Sequence, residues 1–181
     1  GINLSIALKL RALAGLFGVE TVMTRETEQL AYPNDLDSIS QKKVYDQHSR
    51  VALINSVEGA VLFSIHQNHF PDSRPSGAQV FYGRAEGSEA LASLCQTNLT
   101  QQLCPENRRL ASPISDDIYL MRNINCTAIL IECGFLSNPS ESALLQTGDY
   151  QKKLAVVMLA CFLAYTEEQG GFDGSSDGGS S

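Results

Sequence analysis

Two short apolar runs, residues 60–65 and 127–131, constrain the fold of this chain more than any other feature. Their apolar residues do not alternate with polar ones, which is typical of strands buried on both faces of a parallel sheet. His66 directly follows the first run, and Glu132 directly follows the second. In open α/β sheets, ligands and chemistry collect just beyond the carboxyl ends of the strands. We therefore expect both runs to be interior strands of the sheet. Their carboxyl ends should bring His66 and Glu132 close together.

A histidine and a glutamate at one sheet edge suggest a metal ligand and a general base. Each residue taken alone also fits a plainer interpretation, since lone polar residues rarely mark sites. In that alternative, His66 is a histidine whose hydrogen bonds are satisfied within the protein, and Glu132 is the acid of a salt bridge.

Helical patterns alternate with strand patterns along the rest of the chain. Apolar residues recur at helical spacing in the segments 2–17, 41–57, 88–103 and 154–165, and a short helix is expected to start at 138–140. The expected inward-facing residues of the second and last of these helices are Val44, Val51 and Ile54, and Leu154, Val157, Met158, Cys161 and Tyr165. Further strands are predicted at 19–24, 78–82 and 118–121. This alternation predicts an α/β fold with a mostly parallel central sheet and helices on both faces.

Length and charge narrow the domain organisation and the class of partner. The 181 residues are 43% hydrophobic and 18% charged, which suits one domain with an ample core. A net charge of −7 argues against binding a nucleic-acid backbone, which favours a basic patch. Neither a membrane-spanning run nor a signal-peptide pattern is apparent. We expect a domain over residues 1–168 and a flexible Gly/Ser/Asp-rich tail or linker over 169–181.

The five cysteines are an odd number and contain no CxxC spacing, so neither a disulfide framework nor a zinc knuckle is expected. Cys133 adjoins Glu132, which raises the alternative of a cysteine hydrolase. Neighbouring residues of a strand point to opposite faces, so Cys133 is expected to be a buried small hydrophobe instead.

Several segments resemble the zinc-dependent N-acetylmuramoyl-L-alanine amidases, in the order of that family. The stretch around AILIECGFLSN resembles the catalytic-glutamate motif, and FSIHQN resembles the second zinc-histidine motif. GINLSIALKLRAL and VETVMTR resemble the first helix and the strand after it, and the resemblance extends over about residues 1–166. ECGFLSNPSE and GAQVFY are similar to the branch that includes spore-cortex amidases of Gram-positive bacteria.

The resemblance implies hydrolysis of the amide bond between N-acetylmuramic acid and L-alanine of the peptidoglycan stem peptide. It implies Glu132 as the catalytic acid/base, His66 as a zinc ligand, and action outside the cytoplasm, in the cell wall or as a secreted enzyme. Asn68 is expected to contact substrate beside the strand end. Asn107, Arg108 and Arg109 lie on a loop of the kind that handles acidic stem peptides, and a solvated charge cluster is the alternative for them.

In the family, a strand before the first helix carries the first zinc histidine, and a glutamate ligand follows it. Neither precedes Ile2 here, so we expect an amidase domain that is incomplete at its N-terminus, binds zinc weakly and self-associates through an exposed sheet edge. The alternative function is a catalytically silent peptidoglycan-binding remnant. His69 lies close to His66, but Phe70 and Pro71 favour a loop, so surface exposure or substrate contact is expected for it rather than metal ligation.

Overall fold

The computed structural model describes residues 1–29, 32–33 and 37–170. These residues form six helices and four strands, in the order α1 (Ile2–Leu16), α2 (Ile39–Asn55), β1 (Val61–Asn68), β2 (Gln79–Tyr82), α3 (Ser88–Leu103), β3 (Ser112–Pro113), α4 (Tyr119–Asn123), β4 (Thr127–Phe135), α5 (Pro139–Leu145) and α6 (Gly148–Gly170). The predicted tail begins within the last turn of α6, and its residues 171–181 lie outside the described residues. The proposed boundary at residue 168 stays a prediction.

The sheet has four strands in the order β1-β4-β2-β3. Strand β1 pairs with β4 in parallel, and β2 pairs with β3 in parallel, whereas β2 and β4 are antiparallel. The prediction of a mostly parallel sheet is thus confirmed. The expectation that both apolar runs are interior strands is wrong for β1, which lies at the sheet edge. Six of its eight residues are half-buried, because only β4 pairs with it among the described strands.

Helices cover both faces of the sheet, as predicted. One face packs against α1, α3 and α6, and it holds the main core. The other face carries a smaller cluster in which Met121 of α4 packs on Ala128 and Leu130 of β4. All five residues that the sequence analysis placed on the inner face of α6 are buried.

The predicted inner face of α2 is only partly correct. Ser38 starts this helix through a reciprocal capping box with Gln41. Ile54 is buried, but Val51 is half-buried and Val44 is 53% exposed. Among the described elements, α2 makes its main contact with the five-residue helix α4, which is too short to cover the whole apolar stripe.

Two predicted strands are not formed. Residues 19–24 have no regular structure and pair with no described strand. A β-branched sequence needs a neighbouring strand before it forms a ladder. Residues 118–121 contribute to helix α4 instead, with Ile118 at its N-cap. Periodicity does not separate helix from strand in so short an apolar run, and the packing of Met121 against β4 favours the helix.

A largely apolar groove of about 630 Å³ runs beside the outer edge of β1. Its walls are the inner side of α1, the unpaired segment 19–24, the end of α2 and the face of α6 that carries Phe162. Along β1 the groove reaches Ile65, the residue before His66.

Candidate active site

His66 and Glu132 occupy paired positions on the adjacent strands β1 and β4. The two strands are parallel and in register from Val61 to His66, so paired residues project from the same face of the sheet. An irregularity in the register follows between His66 and Asn68, where β1 approaches its end. The structure therefore brings together the two residues that the sequence analysis placed at one edge. Their catalytic roles stay predictions.

Glu132 has the environment of a base rather than that of a salt-bridged acid. Its atom Oε2 is buried without a hydrogen-bond partner in the described part of the chain. Burial raises the pKa of Glu132 to about 6, because the low-dielectric surroundings disfavour the charged form. A carboxyl group with this pKa both accepts and releases a proton near neutral pH.

His66 is exposed overall, but its imidazole is partly buried and has lost part of its hydration. This desolvation lowers the pKa of His66, and the positive charges of Arg50 and Arg25 lower it further. Atom Nε2 lies 3.1 Å from the hydroxyl of Ser64, two residues earlier on the same face. Desolvation and the two arginines thus favour the neutral imidazole, which is the form that ligates metals.

Gln79 is a third member of this row, and the sequence analysis did not identify it. Strand β2 places Gln79 directly opposite Glu132 in the antiparallel pair, so both side chains project from one face. The row of His66, Glu132 and Gln79 thus crosses three adjacent strands. The motif GAQVFY was noted only as a family resemblance, and the β2–β4 register that reveals its glutamine depends on a tertiary pairing.

The three predicted substrate-binding residues have different surroundings. Asn68 lies at the end of β1, and its half-buried side chain has no hydrogen-bond partner among the described residues. Arg108 is 77% exposed by its side chain and lies 4.0 Å from Glu106. Asn107 is buried. Its amide nitrogen donates to the carbonyl of Ala78 at 2.7 Å, and its amide oxygen accepts from the backbone of Arg109 at 3.1 Å. Asn107 therefore braces the loop, and a contact with substrate would fall to its neighbours.

The remaining candidates lie away from the row. His69 is exposed beyond the end of β1. His48, the remaining histidine of the sequence, is exposed on α2, where it stacks on Tyr119 with ring centroids 5.2 Å apart. Cys133 points into the main core on the opposite face from Glu132 and is fully buried, as expected. Burial raises the pKa of the Cys133 thiol to about 12, which disfavours a nucleophilic thiolate.

A buried carboxylate fixes the turn that follows Glu132. Glu141 of α5 accepts hydrogen bonds from the backbone N–H groups of Phe135 and Gly77, both at 2.7 Å. Asn138 caps the same helix by accepting from the backbone N–H of Glu141 at 3.1 Å. These bonds tie the end of β4 to the segment that leads into β2. The positions of Glu132 and Gln79 are thereby fixed relative to each other.

The described residues do not by themselves form a three-ligand metal site. No group of three His, Cys, Asp or Glu side chains comes together within residues 1–29, 32–33 and 37–170. Catalytic zinc normally takes three protein ligands and leaves one position open. His66 supplies one suitable donor, and Glu132 lies beside it.

Comparison with known proteins identifies similarity over almost the whole described chain. The family model of the N-acetylmuramoyl-L-alanine amidases, Amidase_3, matches residues 1–160. The germination-specific N-acetylmuramoyl-L-alanine amidase of Bacillus subtilis (strain 168) is 37% identical over 170 residues, which are 93% of this chain and 71% of that protein.

Solved structures agree with this similarity. The CwlD amidase from Clostridioides difficile, in complex with the GerS lipoprotein, superimposes with a TM-score of 0.87 at 35% identity, over 92% of this chain and 85% of that one. An N-acetylmuramoyl-L-alanine amidase from Clostridium difficile 630 gives a TM-score of 0.77 at 26% identity, over 92% and 82% of the two chains. Within the described residues, no helix has the length and apolar character needed to cross a membrane.

Proposed function

Because this chain belongs to the N-acetylmuramoyl-L-alanine amidase family, it is a peptidoglycan amide hydrolase, and we propose that Glu132 is its catalytic acid/base. The scissile bond joins N-acetylmuramic acid to the L-alanine of the stem peptide. The observation that carries the proposal is the buried atom Oε2 of Glu132, which has no hydrogen-bond partner among the described residues. Glu132 is also in register with His66 toward the carboxyl end of a parallel strand pair.

The proposed chemistry needs one proton to move twice. Glu132, ionised above its pKa of about 6, takes a proton from the attacking water. The same carboxyl group then returns the proton to the nitrogen of the leaving L-alanine, so that an amine departs instead of an amide anion. A carboxyl group without a competing hydrogen bond or cation is free to do both.

Zinc dependence is the finer part of the proposal. The family resemblance implies zinc, and we assign His66 as one of its ligands. The described residues supply one of the three ligands that a catalytic zinc normally takes, so others are needed before a metal is held. A neutral imidazole at His66, maintained by partial burial and by Arg50, suits such a role.

The relatives support a proposal for the cellular setting. We propose that the substrate is spore-cortex peptidoglycan and that the enzyme acts outside the cytoplasmic membrane, in the cell wall or as a secreted protein. The CwlD amidase forms a complex with a lipoprotein, and a lipoprotein partner is part of the proposal for this chain too. Asn68 and Arg108 remain the proposed substrate contacts. We also propose that the chain self-associates through the edge of β1 that pairs with no described strand.

A catalytically silent peptidoglycan-binding protein is the second candidate function. The observation that favours it is the missing three-ligand group among the described residues. Such a protein would bind muramyl peptides through the same row of side chains and would release no product.

The experiment compares the full-length natural protein with its Glu132→Gln variant on purified muramyl peptides, with product release followed by mass spectrometry. Gln keeps the shape of Glu but accepts no proton, so turnover should fall roughly a hundredfold to ten-thousandfold. Exposed Glu168→Gln on α6 is the matched control and should leave the rate unchanged. Near-wild-type turnover by Glu132→Gln would refute the role of Glu132. Binding without hydrolysis by the wild-type protein would establish the silent alternative.

A further inference from the structure

Gln79 has a hydrogen-bonding direction that the structure fixes. Its amide nitrogen lies 2.8 Å from the carbonyl of Leu110 and 3.3 Å from the carbonyl of Val80. Both neighbours only accept hydrogen bonds, so the NH₂ group must face them and Oε1 must face away. Oε1 has no donor among the described residues, and it is not one of the buried unpartnered atoms. The side chain therefore presents a fixed, accessible acceptor beside Glu132.

Arg109 has a comparable free edge. Its Nη1 donates to the carbonyl of Ser76 and to Oδ1 of Asn107, the latter at 3.3 Å, and its guanidinium lies 5.0 Å from the ring centre of Phe135. Nε and Nη2 have no partner in the described residues, and neither is buried without one. These two nitrogens form the edge with which arginine binds a carboxylate through two parallel hydrogen bonds.

The side chains of Gln79 and Arg109 lie next to each other and form one continuous strip of polar surface. Gln79 bonds the carbonyl of Leu110, the residue after Arg109, and Arg109 lies 3.4 Å from the carbonyl of Gly77, two residues before Gln79. Beyond them lies a depression of about 380 Å³ lined by residues 104 and 106–109 together with Ser76. The strip thus leads from Glu132 across Gln79 to a cationic hollow.

The charges at the two ends of the strip differ, and this difference favours one orientation of a bound acidic peptide. On the other side of the row, Arg50 lies 2.8 Å from Asp46, and Arg25 lies 3.5 Å from Glu28, so each of these cations already has a carboxylate partner. Arg109 has no carboxylate within salt-bridge distance among the described residues. The glycan at the scissile bond is uncharged, whereas the stem peptide carries carboxylates. An acidic peptide is therefore drawn toward Arg109.

We propose that Gln79 and Arg109 form a subsite for the second residue of the stem peptide, Gln79 accepting its backbone N–H and Arg109 pairing with its carboxylate. The proposal rests on the amidase function and on Glu132 at the scissile bond. Paired Cα atoms of antiparallel strands are about 4.5–5.5 Å apart, and one residue of extended peptide advances about 3.3–3.6 Å. A peptide that crosses from Glu132 toward β3 therefore carries its next amide to Gln79.

Three ligands separate the two contacts. N-acetylmuramoyl-L-alanine methyl ester has neither a second residue nor an N–H at its position, N-acetylmuramoyl-L-alanyl-D-glutamate has the N–H and carboxylates, and its diamide keeps the N–H without the charge. Calorimetric titration measures their dissociation constants for the full chain carrying Glu132→Gln, so that no ligand is consumed. In this background the glutamate ligand should bind most tightly and the methyl ester most weakly.

Each substitution should change a different comparison. Gln79→Met should weaken the binding of both two-residue ligands roughly two- to tenfold, the usual range for one neutral hydrogen bond, and should leave the binding of the methyl ester unchanged. Arg109→Met should weaken only the charged ligand, roughly tenfold or more, and Arg109→Lys should restore part of that loss because it keeps the charge without the fork. Arg84→Met is the matched control: it removes an exposed arginine that lies beyond the far end of β2 and does not line the hollow, so it should preserve the preference for the charged ligand.

Equal weakening of all three ligands, or no weakening, would overturn the subsite while leaving the amidase function intact. If none of the ligands binds, or if Glu132→Gln still hydrolyses them, the proposed function itself fails. Circular dichroism of each variant shows whether it is folded, so that weaker binding can be assigned to a lost contact. If Arg109→Met is unfolded, Arg109→Lys alone tests the contact with the carboxylate.

Discussion

The carboxyl group of Glu141 lies so close to Gly134 that a methyl group at residue 134 would come 2.7 Å from the carboxyl carbon. This carboxylate is not free to move, because the backbone N–H groups of Phe135 and Gly77 both bond to it. The glycine two residues after Glu132 is thus required by packing. The identity of the residue at this position affects the end of β4 on which Glu132 sits.

Gly134→Ala should destabilise the protein. The added Cβ displaces a buried acid from two charge-assisted hydrogen bonds, and overpacking of this kind costs roughly 1–3 kcal/mol. In a protein of this size, each kcal/mol lowers Tm by about 2–4 °C. Differential scanning calorimetry measures the change. Gly15→Ala is the matched control, because a Cβ at Gly15 on α1 meets no atom within 4 Å, and alanine there should stabilise by up to about 1 kcal/mol. An unchanged Tm for Gly134→Ala would show that the carboxyl group of Glu141 moves aside at little cost in free energy.

Glu132→Gln should make the metal-free protein more stable, by an amount that depends on pH. The pKa of Glu132 is about 6 in the folded state, above its value in the unfolded chain. Between these two pKa values the folded state binds more protons, so stability falls as pH rises and stays lowered above pH 6. Gln carries no charge and escapes this loss. The gain should therefore be near zero at pH 4. At pH 7 it should reach at most about 1 kcal/mol, because Glu132 is partly exposed and solvent screens part of the effect.

Urea unfolding at pH 4 and pH 7, in a buffer with chelator, measures this gain. Glu168→Gln, exposed at the end of α6, should show no comparable dependence on pH. A Glu132→Gln protein that is less stable than wild type at pH 7 would show that the Glu132 carboxylate has a stabilising partner.

The sequence predicted the strands of the site better than the contacts around them. The unbroken apolar runs before His66 and Glu132 were sufficient to place both residues at one edge, because parallel strands end together. Gln79 escaped notice because its neighbour Glu132 is more than fifty residues away in sequence, and only the β2–β4 register joins them. The segment 19–24 has strand composition but no described partner strand. Here local propensity predicted a structure that tertiary context does not support.

Iodoacetamide should leave amidase activity intact. Cys133 is fully buried, and its pKa of about 12 leaves almost no thiolate at neutral pH. Cys104 is half-buried and should be alkylated first, which peptide mass spectrometry detects. Cys133→Ala should likewise keep its activity. Loss of activity that tracks alkylation of Cys133, with indifference to chelators, would instead support a cysteine hydrolase.

Zinc should bind weakly, or not at all, to the 181-residue chain. Its described residues bring one imidazole and one carboxyl group together, and affinity rises steeply only when several ligands bind at once. Isothermal titration calorimetry with chelator-treated protein provides the measurement, and His48→Ala on α2 serves as the control for removal of a distant imidazole. Tight one-to-one binding that disappears in His66→Ala but not in His48→Ala would show that other residues, such as His69, complete the site.

The purified 181-residue chain should self-associate through the groove beside β1. One edge of β1 pairs with β4, whereas its other edge has no strand partner among the described residues and faces an apolar groove of about 630 Å³. An open strand edge of this kind favours pairing with an extended segment of a second copy. Val22→Lys should reduce the association, because Val22 lines the groove, is 54% exposed and lies outside regular structure.

Sedimentation velocity over a range of concentrations measures the oligomeric state. Val156→Lys is the matched control, since Val156 is 52% exposed on α6 but does not line the groove. A wild-type chain that stays monomeric at every concentration would show that the edge is protected, and an equal effect of both lysines would place the association elsewhere.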